Sequence, residues 1–180
     1  MIYVGIDPGG NGGLAAMHEN GRLVRLASPK SPLEMVNLLK PLGPDMFITY
    51  ETSNAFAGHA SQVLGAQFRN IGIVEGIVAA LGVPSLEVLA LKWQRMMLAG
   101  KPAPVKITKE MKRSLDRKEI ERLKRENRKA VKEYAAKIAA RLWPDVSFLE
   151  TARCKVPHDG MVDAALIAEY GRRTHRGVNS

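Results

Sequence analysis

The sequence holds a single cysteine, Cys154, which excludes an intrachain disulfide and cannot by itself build a thiolate metal site. Cys154 reads as a bystander thiol. No cluster of histidines competes either, so a metal bound here is expected to sit among oxygen donors. There is no run of about eighteen charge-free apolar residues, and hence no candidate membrane span. The opening Met1-Ile2-Tyr3-Val4-Gly5 lacks the basic region and small-residue cleavage site of a signal peptide. These absences give the expectation of a soluble, cytoplasmic protein with no membrane partner. Internal repeats and low-complexity tracts are missing too. With 46% hydrophobic and 25% charged residues, residues 1–180 are expected to fold as one compact α/β domain with an ordinary core.

Charge is plentiful but uneven. The formal net charge is +9, and the stretch from Lys101 to Arg141 carries 15 Lys or Arg against 6 Asp or Glu, leaving 12 of each elsewhere. The whole excess therefore sits in one segment. A concentrated positive surface can displace counterions from a phosphate backbone, which makes nucleic acid the leading polyanionic partner. A solvated helix with interspersed charges is the plainer reading of the same run.

Hydrophobic patterning gives the order of elements. Residues 2–7 alternate as a strand, Pro8-Gly9-Gly10-Asn11-Gly12-Gly13 breaks it, and Leu14 to Met17 forms a second. Asn20-Gly21 signals a hairpin, so Arg22 to Ala27 should return as a third strand of an antiparallel meander. Leu33, Val36, Leu39 and Leu42 have helical spacing, and the nearly unbroken apolar run 45–51 reads as an interior strand. A long helix is expected over 59–82. Its glycines Gly65, Gly72 and Gly76 cost helix stability, roughly 1 kcal/mol each, which close packing against another backbone would offset. A strand at 85–90, a short helix at 91–98, one broken or two basic helices through Leu142, and a last helix from His158 to Arg172 complete the order β-β-β-α-β-α-β-α-α. A meander followed by parallel crossovers fits an RNase H-like fold, a mixed five-stranded sheet flanked by helices with a basic helical insertion at 101–141, better than a Rossmann chain.

Four acids stand out against this frame. Asp7 ends the first strand at the lip of the sheet, before a glycine-rich turn, and Glu51 closes the apolar strand Phe47 to Tyr50, which points its carboxylate toward the cleft at the strand ends. Asp159 and Asp163 lie four apart on the last helix and so project from one face. Asp159 has an ordinary role as an acid at a helix N-terminus; Asp163, inside Met161-Val162-Asp163-Ala164-Ala165-Leu166, has none. Together they offer the hard oxygen ligands that magnesium prefers. Two such ions sharing a carboxylate can activate water and steady the leaving oxygen in an in-line attack on a phosphodiester.

Gly5-Ile6-Asp7-Pro8-Gly9, Tyr50-Glu51-Thr52 with Phe56, Lys92-Trp93, Leu142-Trp143-Pro144 and the run from His158 to Gly171 resemble, in that order, the motifs of the RuvC-type Holliday-junction resolvases, above all their phage-like and chloroplast branch. The resemblance implies a homodimer, with the helix at 59–82 as its candidate interface. It implies binding of branched DNA, four-way junctions above all. Symmetric nicking would depend on two Mg2+ ions per site, with Mn2+ as a substitute. Asp7, Glu51, Asp159 and Asp163 would be the catalytic metal ligands. Phe56 would be a wedge stacking on a base, and Lys92 and Lys132 would contact phosphates. The stretch from Lys101 to Asn127, longer and more basic than is usual in the family, is a candidate DNA-binding elaboration through Lys101, Lys106, Lys109, Lys112 and Arg113.

Two other classes compete. Asp7 followed by a glycine-rich hairpin also suits an actin-like ATPase or phosphotransferase, although such proteins need a second domain. A non-catalytic DNA-binding protein could keep the fold and use only the basic helices, but carboxylates beside a phosphate backbone would weaken it.

Overall fold

A computed structural model describes residues 1–53, 61–101 and 103–178. Strands β1 (Ile2–Asp7), β2 (Gly13–His18) and β3 (Leu23–Ala27) form the expected antiparallel meander. The β2–β3 turn closes at Gly21, whose φ of 84° lies in the left-handed region that glycine enters freely. Strands β4 (Met46–Thr52) and β5 (Ser85–Leu89) then add in parallel on the other side of β1, giving the order β3-β2-β1-β4-β5.

The helices follow the apolar spacing, with local chemistry setting their ends. In α1 (Pro32–Leu39), Ser31 caps the start by accepting the Glu34 N–H. The run expected to continue to Leu42 tightens instead into a 3-10 turn over Lys40–Leu42, because Pro41 has no N–H to offer an α-helical bond. Helix α2 spans Ser61–Leu81, and α3 (Ala90–Met97) follows β5 without a loop. The basic segment resolves into α4 (Lys109–Ser114) and α5 (Arg117–Leu142). They separate at Leu115-Asp116, where Asp116 and Glu119 form a reciprocal capping box that starts a new helix. Helix α6 runs from Asp159 to Val178, beyond the stop expected at Arg172. Arg172 and Arg173 both bond back to the buried Glu169, one turn earlier, and the Tyr3 hydroxyl meets His175 Nδ1 at 3.1 Å. The arginines extend the helix rather than ending it.

Strand alternation divides the core in two. Val4, Ile6, Ile48 and Tyr50 face α1 and α2, together with Val74, Ile77 and Val78. Tyr3, Ala15 and Met17 face the opposite way, toward Trp93, the C-terminal half of α5 and most of α6. Helix α6 thus lies across β1, β2 and β4. The N-terminal part of α5 leaves this core and carries its charges into solvent, with only Ile120, Leu123, Asn127 and Val131 half-buried between residues 117 and 131. Among the described residues no helix is long and apolar enough to cross a membrane.

Glycine sets how close α6 comes to the sheet. A Cβ at Gly5 would lie 2.0 Å from the Ala164 carbonyl oxygen and 2.3 Å from the Ala168 nitrogen, and one at Gly160 would lie 2.2 Å from the Asn11 carbonyl oxygen. The glycines of α2 do not repeat this. Among the described residues nothing lies within 4 Å of a Cβ built at Gly65, Gly72 or Gly76, so those residues do not supply the packing expected to offset their cost. Gly5→Ala should therefore destabilise the protein by about 3 kcal/mol or more, since backbone is what the new methyl would meet. Gly177→Ala, with open space around it, should change stability by less than about 1 kcal/mol. Urea denaturation of the two variants checks the contrast.

Candidate active site

Asp7 and Glu51 come to the site from neighbouring parallel strands. Ile6 pairs with Tyr50, so Asp7 and Glu51 stand next in register, on backbones about 4.8 Å apart. They alternate with Ile6 and Tyr50 and so face α6, not α1 and α2. The Gly9 N–H donates to Asp7 Oδ1 at 3.0 Å, an Asx turn that fixes the carboxylate as the chain leaves the strand. A Cβ at Gly9 would sit 3.2 Å from that same oxygen, so glycine here keeps the acid uncovered.

Glu51 is oriented by a residue that spacing alone did not single out. The fully buried Trp93 donates its Nε1–H to Glu51 Oε2 at 2.6 Å. The signal was topological: β5 is parallel to β4 and runs straight into α3, so the first turn of α3 must begin beside the end of β4.

Helix α6 brings the other two acids. Its start is pressed on the glycine loop through Gly160, and Ala164 lies on Gly5, which sets Asp159 and Asp163 over the strand ends. Lys132 of α5 forms an ion pair with Asp159. His158, just before the helix, accepts the Met161 N–H on Nδ1 at 3.3 Å. Its buried Nε2 finds no hydrogen-bond partner among the described residues and lies 4.0 Å from Glu150 Oε2.

The four acids share one electrostatic environment. Burial first, and then the charges of Asp7, Glu51 and Asp159, push the Asp163 carboxyl up to about 8, with Lys132 opposing them. Burial also lifts Glu51 to about 7 against the Trp93 hydrogen bond, with Asp7 adding to the rise. Asp7 is raised by burial and by Asp159, with the Gly9 N–H, His158 and Lys132 pulling down. Crowded, half-desolvated carboxylates that hold each other's protons are an arrangement that a cation would relieve. The donor set, all hard oxygen, suits magnesium. The acids converge without forming a finished cage: among the described residues no group of three His, Cys, Asp or Glu stands ready to hold a metal. Three of them are engaged with protein partners instead, Asp7 with Gly9, Glu51 with Trp93 and Asp159 with Lys132.

Of the cations expected at the DNA interface, Lys132 is the one that acts on these acids. Lys92 is exposed on α3, Lys106 on the linker before α4, and Lys109, Lys112 and Arg113 on α4, while Lys101 is half-buried after α3. Phe56 lies outside the described residues. Concave surfaces open on both sides of the cluster. A cavity of about 190 Å³ runs from Asp7 along the glycine loop to Lys30 and Asn70, and one of about 320 Å³ runs from Asp163 between α3 and α5.

Two solved structures share this arrangement of elements. T. thermophilus RuvC in complex with Holliday junction substrate superposes with a TM-score of 0.59 at 15% identity, over 98% of this chain and 97% of that one. A second structure of Thermus thermophilus RuvC gives 0.55 at 16% identity over 97% of each chain. No family model matches the sequence, and no curated protein does. The chain thus has the RuvC fold along nearly its whole length, the RNase H-like class that the order of strands and helices led us to expect.

The raised carboxyls have a consequence for stability. Native Asp163 and Glu51 keep protons up to about pH 8 and 7, whereas in the unfolded chain they release them near the ordinary carboxyl values of 3.8 and 4.5. Between those limits the native state binds more protons than the unfolded one, so their contribution falls as pH rises. In the presence of a chelator, the Tm of Asp163→Asn should gain several degrees on that of the parent protein between about pH 5 and about pH 9. A gap that does not change with pH would contradict the assignment.

Proposed function

We propose that the protein is a metal-dependent endonuclease that resolves four-way DNA junctions. The observation that carries this reading is the convergence of Asp7, Glu51, Asp159 and Asp163 from three elements onto one electrostatic cluster at the ends of parallel strands. The concentrated charge of residues 101–141 supports a nucleic-acid substrate. The likeness in fold to a RuvC bound to a Holliday junction favours branched DNA among nucleic acids.

In this reading the four carboxylates would hold two Mg2+ ions, with Mn2+ able to replace them. When bound, such ions supply an activated water and charge stabilisation for in-line hydrolysis of a phosphodiester. The chain's own residues prepare that site. Gly9 keeps Asp7 in place and uncovered, Trp93 fixes the rotamer of Glu51, and the backbone contact of α6 with β1 keeps Asp163 beside both. Lys132 holds the Asp159 carboxylate while the site is unloaded and stands where a phosphate approaching the acids would meet a positive charge. The exposed lysines and arginines of α4 and the outer part of α5 bind the junction arms through their backbones.

Symmetric nicking of two strands calls for two such sites, and we assign the homodimer contact to α2. On that helix Gly65, Gly72 and Gly76 face open space and Phe68 is 43% exposed, a surface on which a second backbone fits closely. Phe68→Glu should convert the dimer to monomer in sedimentation velocity.

The reading is tested by incubating a labelled four-way junction, linear duplex, RNA–DNA hybrid and ATP with the protein and Mg2+. Paired nicks in the junction alone are expected, with 5′-phosphate ends that ligase can seal. Asp7→Asn should lower cleavage by roughly 100-fold or more while junction affinity in Ca2+ is kept or tightened. Replacing Lys106, Lys109, Lys112 and Arg113 together by alanine should flatten the slope of log affinity against log salt by roughly 3 to 4. ATP turnover or a preference for hybrids would point to a different enzyme on the same fold.

A further inference from the structure

The cavity between α3 and α5 has a different character from the acidic cluster it adjoins. It measures about 320 Å³, at the size where pockets begin to enclose small organic groups. Leu98, Val131 and Ala135 line it with Pro104, and Asp163 and Lys132 close the end nearest the acids. The fourth wall exists because Asn127 grips the linker: its Oδ1 accepts the Val105 N–H at 2.8 Å and its Nδ2 donates to the Val105 carbonyl at 3.0 Å. That pair of bonds straps residues 103–105 onto α5 and occupies the Asn127 amide. Gln94 is the half-buried polar side chain left to face the cavity, with one donor group and one acceptor group on a planar amide. Arg128, exposed at the rim, adds a positive charge.

We infer that this cavity receives one unstacked nucleobase, next to the phosphate held at the acids, and that Gln94 reads its edge. This deepens the nuclease reading given above and rests on it. The chemistry selects the occupant. Apolar walls fit the faces of a flat ring, the amide fits its hydrogen-bonding edge, and Lys132 and Arg128 fit the anionic backbone to which it is tethered. A free apolar ligand would satisfy the walls but leave the amide and both cations unused. A base that enters here lies one short step along the strand from Asp163, because that residue belongs to the wall of the cavity and to the acidic cluster alike. Unstacking a base costs least where pairing is already broken, at the branch point of a junction. The pocket therefore makes Gln94 a specificity-determining residue for where the strand is cut.

The test uses the full-length protein and a set of junctions that differ only in the bases flanking the cut, with relative kcat/KM for each. The parent protein should prefer one base at one flanking position by roughly 10-fold, and Gln94→Leu should level that preference while still cutting. Val131→Phe, which fills the cavity, should lower kcat/KM on the preferred junction roughly 10-fold and leave affinity in Ca2+ within about 2-fold, because phosphate contacts dominate binding. A second readout is independent of cleavage. With Asp7→Asn in Ca2+, 2-aminopurine at the preferred position should brighten on binding as it leaves the stack, and Val131→Phe combined with Asp7→Asn should abolish the rise. Junctions cut at equal rates whatever their flanking bases, a preference untouched by Gln94→Leu, or an unchanged fluorescence would overturn the base site and leave the nuclease reading standing. A parent protein that cuts no junction would instead overturn the nuclease reading, and this site with it.

Discussion

Backbone contact between α6 and β1 governs everything that follows. Four carboxylates in one half-buried patch repel one another, and two of them hold protons to neutral pH or above. They would relax apart if their supports allowed it. The supports do not, because Gly5 lets Ala164 and Ala168 lie directly on β1 and Gly160 lets the start of α6 lie on the glycine loop. Core packing of Leu166, Ile167 and Tyr170 against the sheet supplies the free energy that opposes the repulsion. The cost of assembling the charges is thus met by the fold, which keeps the four acids near one another although Asp7, Glu51 and Asp159 are engaged with protein partners.

Around that centre the chain arranges surfaces of graded burial and polarity. The sheet and α6 form the buried floor. Helix α5 joins floor and periphery: its C-terminal half is anchored by Ala135, Ile138 and Ala139, and its N-terminal half extends into solvent with most of the positive charge. At 26 residues it spans about 39 Å, longer than the site it serves. Lys132 sits where the two halves meet, so the outermost residue of the acidic cluster is also the innermost of the basic surface. The linker strapped down by Asn127 turns part of the same helix into one wall of a cavity. A single helix thereby connects the basic surface, the acids and the cavity between α3 and α5.

Much of this was legible in the sequence because it depends on periods and punctuation. Alternation in 2–7, the Asn20-Gly21 turn and the unbroken apolar run 45–51 define strands whose order follows from general rules of connection. Asp7, Glu51, Asp159 and Asp163 were visible as acids where local structure has little use for them, and the fold brings them together. What was not legible depends on contacts distant in sequence. The bond from Trp93 to Glu51 requires knowing that β5 is the parallel neighbour of β4. The pairing of Lys132 with Asp159, rather than of Lys92 with any acid, depends on the crossing of α5 over α6. Pro41 shortened a helix that spacing alone would have continued, and Glu169 with its two arginines lengthened another. The glycines of α2 looked like packing residues, and among the described residues nothing packs on them.

The central claim is that these four side chains form one divalent-cation site, and direct observation of the ion tests it most plainly. Anomalous diffraction from crystals soaked in Mn2+ should show manganese between the strand ends and the start of α6, bonded to oxygens of Asp7, Glu51 and Asp163, with Asp159 released from Lys132. Manganese bound only elsewhere on the surface, at concentrations that saturate the protein, would contradict the account.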